Sequence, residues 1–189
     1  MRYLCFDTAL NEVYTLLLLQ KEYPSYLSLF HGTKNEAIWH VAPWLIAITN
    51  ENFYKKWNDP NCHLERCLII ESSAHIKDLK LHLQQFIYKK VNQSDHFNRF
   101  WDAKVLLQQL ERMSSEERLH FFEEIEAIYL EDYDGFLKMS LDRKARLVKE
   151  NVTEQQLFSP ADRVATTMEQ LPEQQTKPEI KPRRRFFTD

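Results

Sequence analysis

Glycine is nearly missing from this chain: Gly32 and Gly135 are the only two in 189 residues. That scarcity excludes a P-loop and a dinucleotide fingerprint, because both need several glycines for close backbone approach to phosphate. No Gly-x-Ser-x-Gly elbow occurs either. Cysteine is also sparse. Cys5, Cys62 and Cys67 make an odd set without a disulfide framework, which suits a reducing compartment. No apolar run approaches the length of a membrane span, and Leu16 to Leu19 lies inside an amphipathic pattern. The apolar start at Met1 to Phe6 meets Asp7 too soon to be a signal segment, so the expectation is a cytoplasmic protein. With 25 basic and 28 acidic residues, the net charge of −3 supplies no concentrated positive field for nucleic acid.

What the chain does have is apolar and aromatic bulk, 43% and 13% of residues, enough to fold a body. Tyr3 to Phe6 reads as a buried strand. Asp7 and Thr8 suit a cap for a helix carrying Leu10, Val13, Tyr14, Leu17 and Leu18. Further strands are expected at Tyr26 to Phe30, Trp44 to Ile48, Cys67 to Ile70, Tyr88 to Val91 and Phe97 to Trp101. The continuous apolar run at Cys67 to Ile70 marks a central strand covered on both faces. Helices are expected at Glu36 to His40, around Phe53 to Trp57, and along the stripe Ile76, Leu79, Leu83, Phe86 and Ile87. Asp102 should cap a helix bearing Val105, Leu106, Leu110 and Met113. Ser114 and Glu117 form a capping box for a helix that buries Leu119 and Phe122.

Strands alternating with helices define an α/β or α+β fold, a mixed β-sheet flanked by helices. Three parts are expected: an α/β body over residues 1–135, a helical extension over 136–171, and a disordered basic tail over 172–189. In the extension, Leu141 to Lys149 reads as a charged helix, and Ser159-Pro160 as the start of another. The tail carries Lys181-Pro182-Arg183-Arg184-Arg185-Phe186-Phe187, read as a solvated segment first, a linear docking segment second and a nucleic-acid contact third.

Candidate chemistry is thin. Cys62, His63 and Cys67 lack a fourth ligand at a recognised spacing, and His75, Asp78 and His82 border an apolar helical stripe. No metal and no cofactor is expected. Glu71 ends the central strand, where a small hydrolase could place a carboxylate beside a histidine, but a solvated or capping acid is the simpler reading. In Asn98-Arg99-Phe100-Trp101-Asp102, a catalytic pair competes with a structural account. In the latter Asp102 caps a helix and Arg99 bonds a carboxylate or carbonyls. The structural account is preferred, and with it a protein that is not an enzyme. Trp39, Trp44, Phe53, Tyr54 and Trp57 cluster between two strands, more than a small core requires, and are the candidate binding residues.

Four segments, in order, resemble the adaptor family of bacterial type VI secretion systems. They are Ser28-Leu29-Phe30-His31-Gly32-Thr33, Ala42-Pro43-Trp44-Leu45, Leu68-Ile69-Ile70-Glu71-Ser72-Ser73, and Arg99-Phe100-Trp101-Asp102-Ala103-Lys104-Val105-Leu106. Ala42 stands where the family has glycine, Ala103 where it has proline, and Lys104 where it has arginine. The resemblance implies a non-enzymatic chaperone that binds the N-terminal region of a toxic effector and helps seat it on the VgrG spike. Its partners would be those two proteins, with neither nucleic acid nor membrane. An immunity protein or antitoxin that covers a toxin is the alternative binding class.

Overall fold

The computed structural model describes residues 1–92, 94–132 and 135–158. Among the described residues, nine strands run β1 (Arg2–Asp7), β2 (Tyr26–Ser28), β3 (Pro43–Ile48), β4 (Leu68–Glu71), β5 (Tyr88–Val91), β6 (Ser94–Phe97), β7 (Ala127–Asp132), β8 (Gly135–Leu141) and β9 (Leu147–Val152). Seven build one sheet in the order β2-β3-β1-β4-β7-β8-β9, and β5 with β6 forms a separate hairpin. Each neighbouring pair is antiparallel. The fold is therefore α+β. The apolar run expected at the centre of the sheet is β4, its middle strand.

Helices lie on both faces of the sheet: α1 (Thr8–Asn11), α2 (Val13–Glu22), α3 (Asn50–Trp57), α4 (Ile76–Gln84), α5 (Ala103–Arg112), α6 (Ser115–Phe121) and α7 (Glu154–Phe158). Alternate strand residues therefore feed two cores. Tyr3, Cys5, Leu45, Leu68, Ile70, Ile128 and Leu130 pack with Leu79 and Leu83 of α4, Leu106 and Leu110 of α5, and Phe121 of α6. Leu4, Phe6, Ile46, Ile69 and Tyr129 face the other way, onto Leu16 and Leu19 of α2, Phe53 of α3, and Leu157 and Phe158 of α7. Burial on both sides is why these strands read as unbroken apolar runs rather than alternating ones.

The caps match the local chemistry. Asp7 accepts from the Ala9 N–H at 3.0 Å, Asp102 from Lys104 at 3.0 Å, and Ser114 with Glu117 closes a full capping box. Three local expectations need correction before a larger one. Tyr14 and Leu17 are exposed, and Thr15, Leu16 and Leu19 are buried in their place, because the helix breaks at Glu12 (φ 68°) and restarts in a new phase. Leu119 is 56% exposed, and Phe121 takes the core position instead. Phe97 to Trp101 is not a strand, since β6 ends at Phe97.

The largest correction concerns residues 136–171. Leu141 to Lys149 is not helical: it is the end of β8, a turn, and the start of β9, which extend the same sheet. The folded body therefore continues past residue 135 to α7. The proposed helix after Ser159 and the tail over 172–189 lie outside the described residues.

Candidate functional site

The 3₁₀ segment Glu36–Val41 contains no buried residue, although it carries Ile38, Trp39 and Val41. Trp39 is 52% exposed, and Phe97 of β6, which shares a groove with Ile38 and Val41, is also 52% exposed. Apolar side chains exposed together on one element mark a contact surface more often than singly exposed ones do.

Local bonds hold this segment in place. Gly32 adopts φ 80°, a left-handed turn that glycine takes without a steric penalty. Glu36 accepts from the Gly32 N–H at 3.1 Å and pairs with His31 Nδ1 at 2.8 Å. Those two contacts, the backbone donor first, hold the Glu36 carboxyl below its ordinary pKa. Thr33 Oγ1 donates to the Phe30 carbonyl at 2.7 Å, and Gln84 Nε2 donates to the carbonyls of Leu29 and His31. Asn35 bonds the Tyr88 hydroxyl, while Lys34 sits 4.2 Å over the Tyr88 ring and pairs with Asp95 at 2.7 Å. The β5–β6 hairpin thus braces the loop.

Two grooves flank the segment. One, of about 330 Å³, lies along edge strand β2 between Tyr26, His31, Glu36, Trp39 and Trp44. The second, of about 190 Å³, runs between Ile38, Val41, Phe30, Phe97 and Trp101. Phe30 packs at 6.0 Å from both Phe97 and Trp101, edge-on to the latter. An edge strand beside an apolar groove can accept an extended peptide through backbone bonds, with the groove taking its side chains.

The five aromatic candidates do not form one site. Trp39 and Trp44 share the larger groove. Phe53, Tyr54 and Trp57 belong to α3 on another part of the surface, packed against Phe136 and Phe158. Phe53 is fully buried and is a core residue; Tyr54 is 46% exposed and Trp57 half-buried. The spacing of aromatics along the chain carried no information about which sheet face each would reach. Ile38, Val41, Phe97 and Tyr26 were missed, and the run Ile38-Trp39 with Val41 was the available signal.

The Arg99 to Asp102 motif is built into the fold. Arg99 donates to Asp7 at 2.5 Å, and Asp7 is almost wholly buried. Phe100 and Trp101 are buried, and Asp102 caps α5 while pairing with Arg66 at 3.5 Å. Glu71 accepts from the Tyr129 hydroxyl at 2.5 Å and lies 3.7 Å from Arg2. Burial first, then that hydrogen bond, raises the Tyr129 pKa. His75 caps α4 by accepting from the Lys77 N–H, and His82 is buried with Nε2 bonded to the Phe121 carbonyl at 2.9 Å. Among the described residues no group of three or more His, Cys, Asp or Glu is placed to hold a metal ion. All three cysteines are buried, and burial raises each thiol, Cys62 to about 11.

Fold and surface together describe a two-sided α+β sheet domain with a braced, exposed aromatic segment at one edge. Residues 2–120 match the family described as "Domain of unknown function (DUF4123)", and the chain belongs to that family. Comparison with curated proteins and with solved structures finds no match. Among the described residues no helix is long and apolar enough to cross a membrane.

Proposed function

We propose that this chain is a cytoplasmic, non-enzymatic adaptor that binds a type VI secretion effector and helps load it onto the VgrG spike. The observation that carries the reading is the braced aromatic segment, with Ile38, Trp39, Val41 and Phe97 exposed around two grooves. Exposed aromatics held in one conformation bind a partner at little entropic cost, which is how hot spots work. The resemblance adds the partner class. Its first segment forms the end of β2 and the turn beneath Trp39, its second opens β3 at Trp44, its third is β4, and its fourth holds Asp7 and caps α5. Two of the four therefore border the larger groove.

Tagged protein recovered from its native host, with bound proteins identified by mass spectrometry, tests the proposal. The adaptor reading expects a VgrG together with a large multidomain toxin, both lost with Trp39→Ala. Recovery of a lone toxin catalytic domain would overturn it in favour of an immunity protein.

A further inference from the structure

The smaller of the two grooves beside the 3₁₀ segment holds one charged group within a ligand's reach. Its apolar walls are Phe30, Ile38, Val41, Phe97 and Trp101, and with them stands Arg99, whose side chain is 48% exposed. Asp7 lines the groove too, but its side chain is 2% exposed. Both its oxygens are taken, Oδ1 by the Ala9 N–H and Oδ2 by Arg99 Nη2. A cation entering the groove therefore finds no open carboxylate. An anion finds a guanidinium with five N–H donors, of which, among the described residues, one is used on Asp7. The planar fork allows one arginine to hold a buried carboxylate and donate to a second with its other nitrogens. Because the Asp7 pair already fixes the guanidinium, those donors are oriented before any ligand arrives, which lowers the ordering cost of binding.

The volume fixes the apolar part of the ligand. The groove holds about 190 Å³. An apolar cavity of about 150 Å³ takes a benzene ring, so the space suits one aromatic side chain. The larger groove flanks the same 3₁₀ segment. A chain crossing from one groove to the other passes through this site rather than ending in it, so the carboxylate belongs to a side chain and not to a terminus. We infer that the smaller groove reads an acidic residue beside an aromatic one in the partner's chain. The ring enters between Ile38, Phe97 and Trp101, and the carboxylate accepts from Arg99, which thus serves both Asp7 and the partner. The inference rests on the reading of this face as the partner-binding surface and adds the chemistry the partner brings.

NMR of the full chain, titrated with the blocked dipeptides acetyl-Asp-Phe-amide, acetyl-Asn-Phe-amide and acetyl-Lys-Phe-amide, tests it. The Ile38 and Val41 methyl signals and the Phe97 ring signals should shift and saturate with the aspartyl peptide. The other two peptides should bind about tenfold more weakly, and the gap should narrow at high salt. Arg99→Lys keeps the charge beside Asp7 but not the fork, and should lose most of the preference. Val41→Trp, at an exposed position, should fill the groove and stop all three peptides from binding. Equal binding of the aspartyl and asparaginyl peptides, or no shift at Ile38 and Val41 with any peptide, would overturn the inference and leave the adaptor reading standing. Failure to recover a VgrG and a toxin from the host, with the aspartyl preference intact, would overturn the adaptor reading and leave this one standing.

Discussion

Trp39 and Phe53 come from the same aromatic-rich stretch, yet the fold puts one in solvent and the other in the core. Truncating each should separate binding from stability. Phe53→Ala removes a ring packed against Tyr23, Trp57 and Phe158 and is expected to cost about 3–5 kcal/mol, read by chemical denaturation. Trp39→Ala should change stability by less than about 0.5 kcal/mol, as exposed substitutions do. The thiols offer a second check. Because burial raises Cys5, Cys62 and Cys67, a thiol-specific reagent at mildly alkaline pH should label none of them until the chain unfolds. Caps were readable at this scale: Asp7, Asp102 and Ser114 each announce a helix by local chemistry that tertiary context did not override. Exposure was not readable. Whether Trp39 or Phe53 meets the core depends on which sheet face its element covers, and no local pattern encodes that.

The elements show where reading the chain succeeds and where it stops. Strands β1, β3 and β4 declared themselves because both faces are buried, but β7, buried on both faces from Ala127 to Leu130 and next to β4, was not among the expected strands. The β8–β9 hairpin did not declare itself, for its turn has neither glycine nor proline: Ala145 takes the left-handed position at φ 57°, and Asp142 accepts from the Lys144 and Arg146 amides in their stead. Gly135 is the reverse case. At φ 147° a Cβ there would lie 2.6 Å from the Val152 carbonyl oxygen, so Gly135→Ala should destabilise the hairpin by about 1–3 kcal/mol in a thermal melt. The brace between Lys34, just before the 3₁₀ segment, and β6 should respond to pH. Asp95 is held at about 2, below its usual 3.8, by Lys34 first and Lys90 second. A depressed acid contributes fully above its unfolded value, and the contribution fades as pH falls through the folded one. The NMR shifts of the Asp95 carboxyl and the Lys34 side chain should therefore be unchanged above about pH 4 and move together as pH drops toward 2.

For the whole molecule, the extension of the sheet past residue 135 is the main consequence of the structure. β8, β9 and α7 complete the sheet and supply Phe136, Leu157 and Phe158 to one of its two cores. A chain ending at Asp132 should fail to melt cooperatively, whereas one ending at Phe158 should keep a single sharp transition by circular dichroism. Family membership agrees with a sheet domain that begins at the first strand. The adaptor function is the central proposal, and the measurement that tests it most directly compares wild type with Trp39→Ala in recovery from the native host. The account predicts a VgrG and a large toxin with wild type, and loss of both with the variant at unchanged melting temperature. Equal recovery with wild type and variant, or recovery of neither protein with wild type, would contradict it.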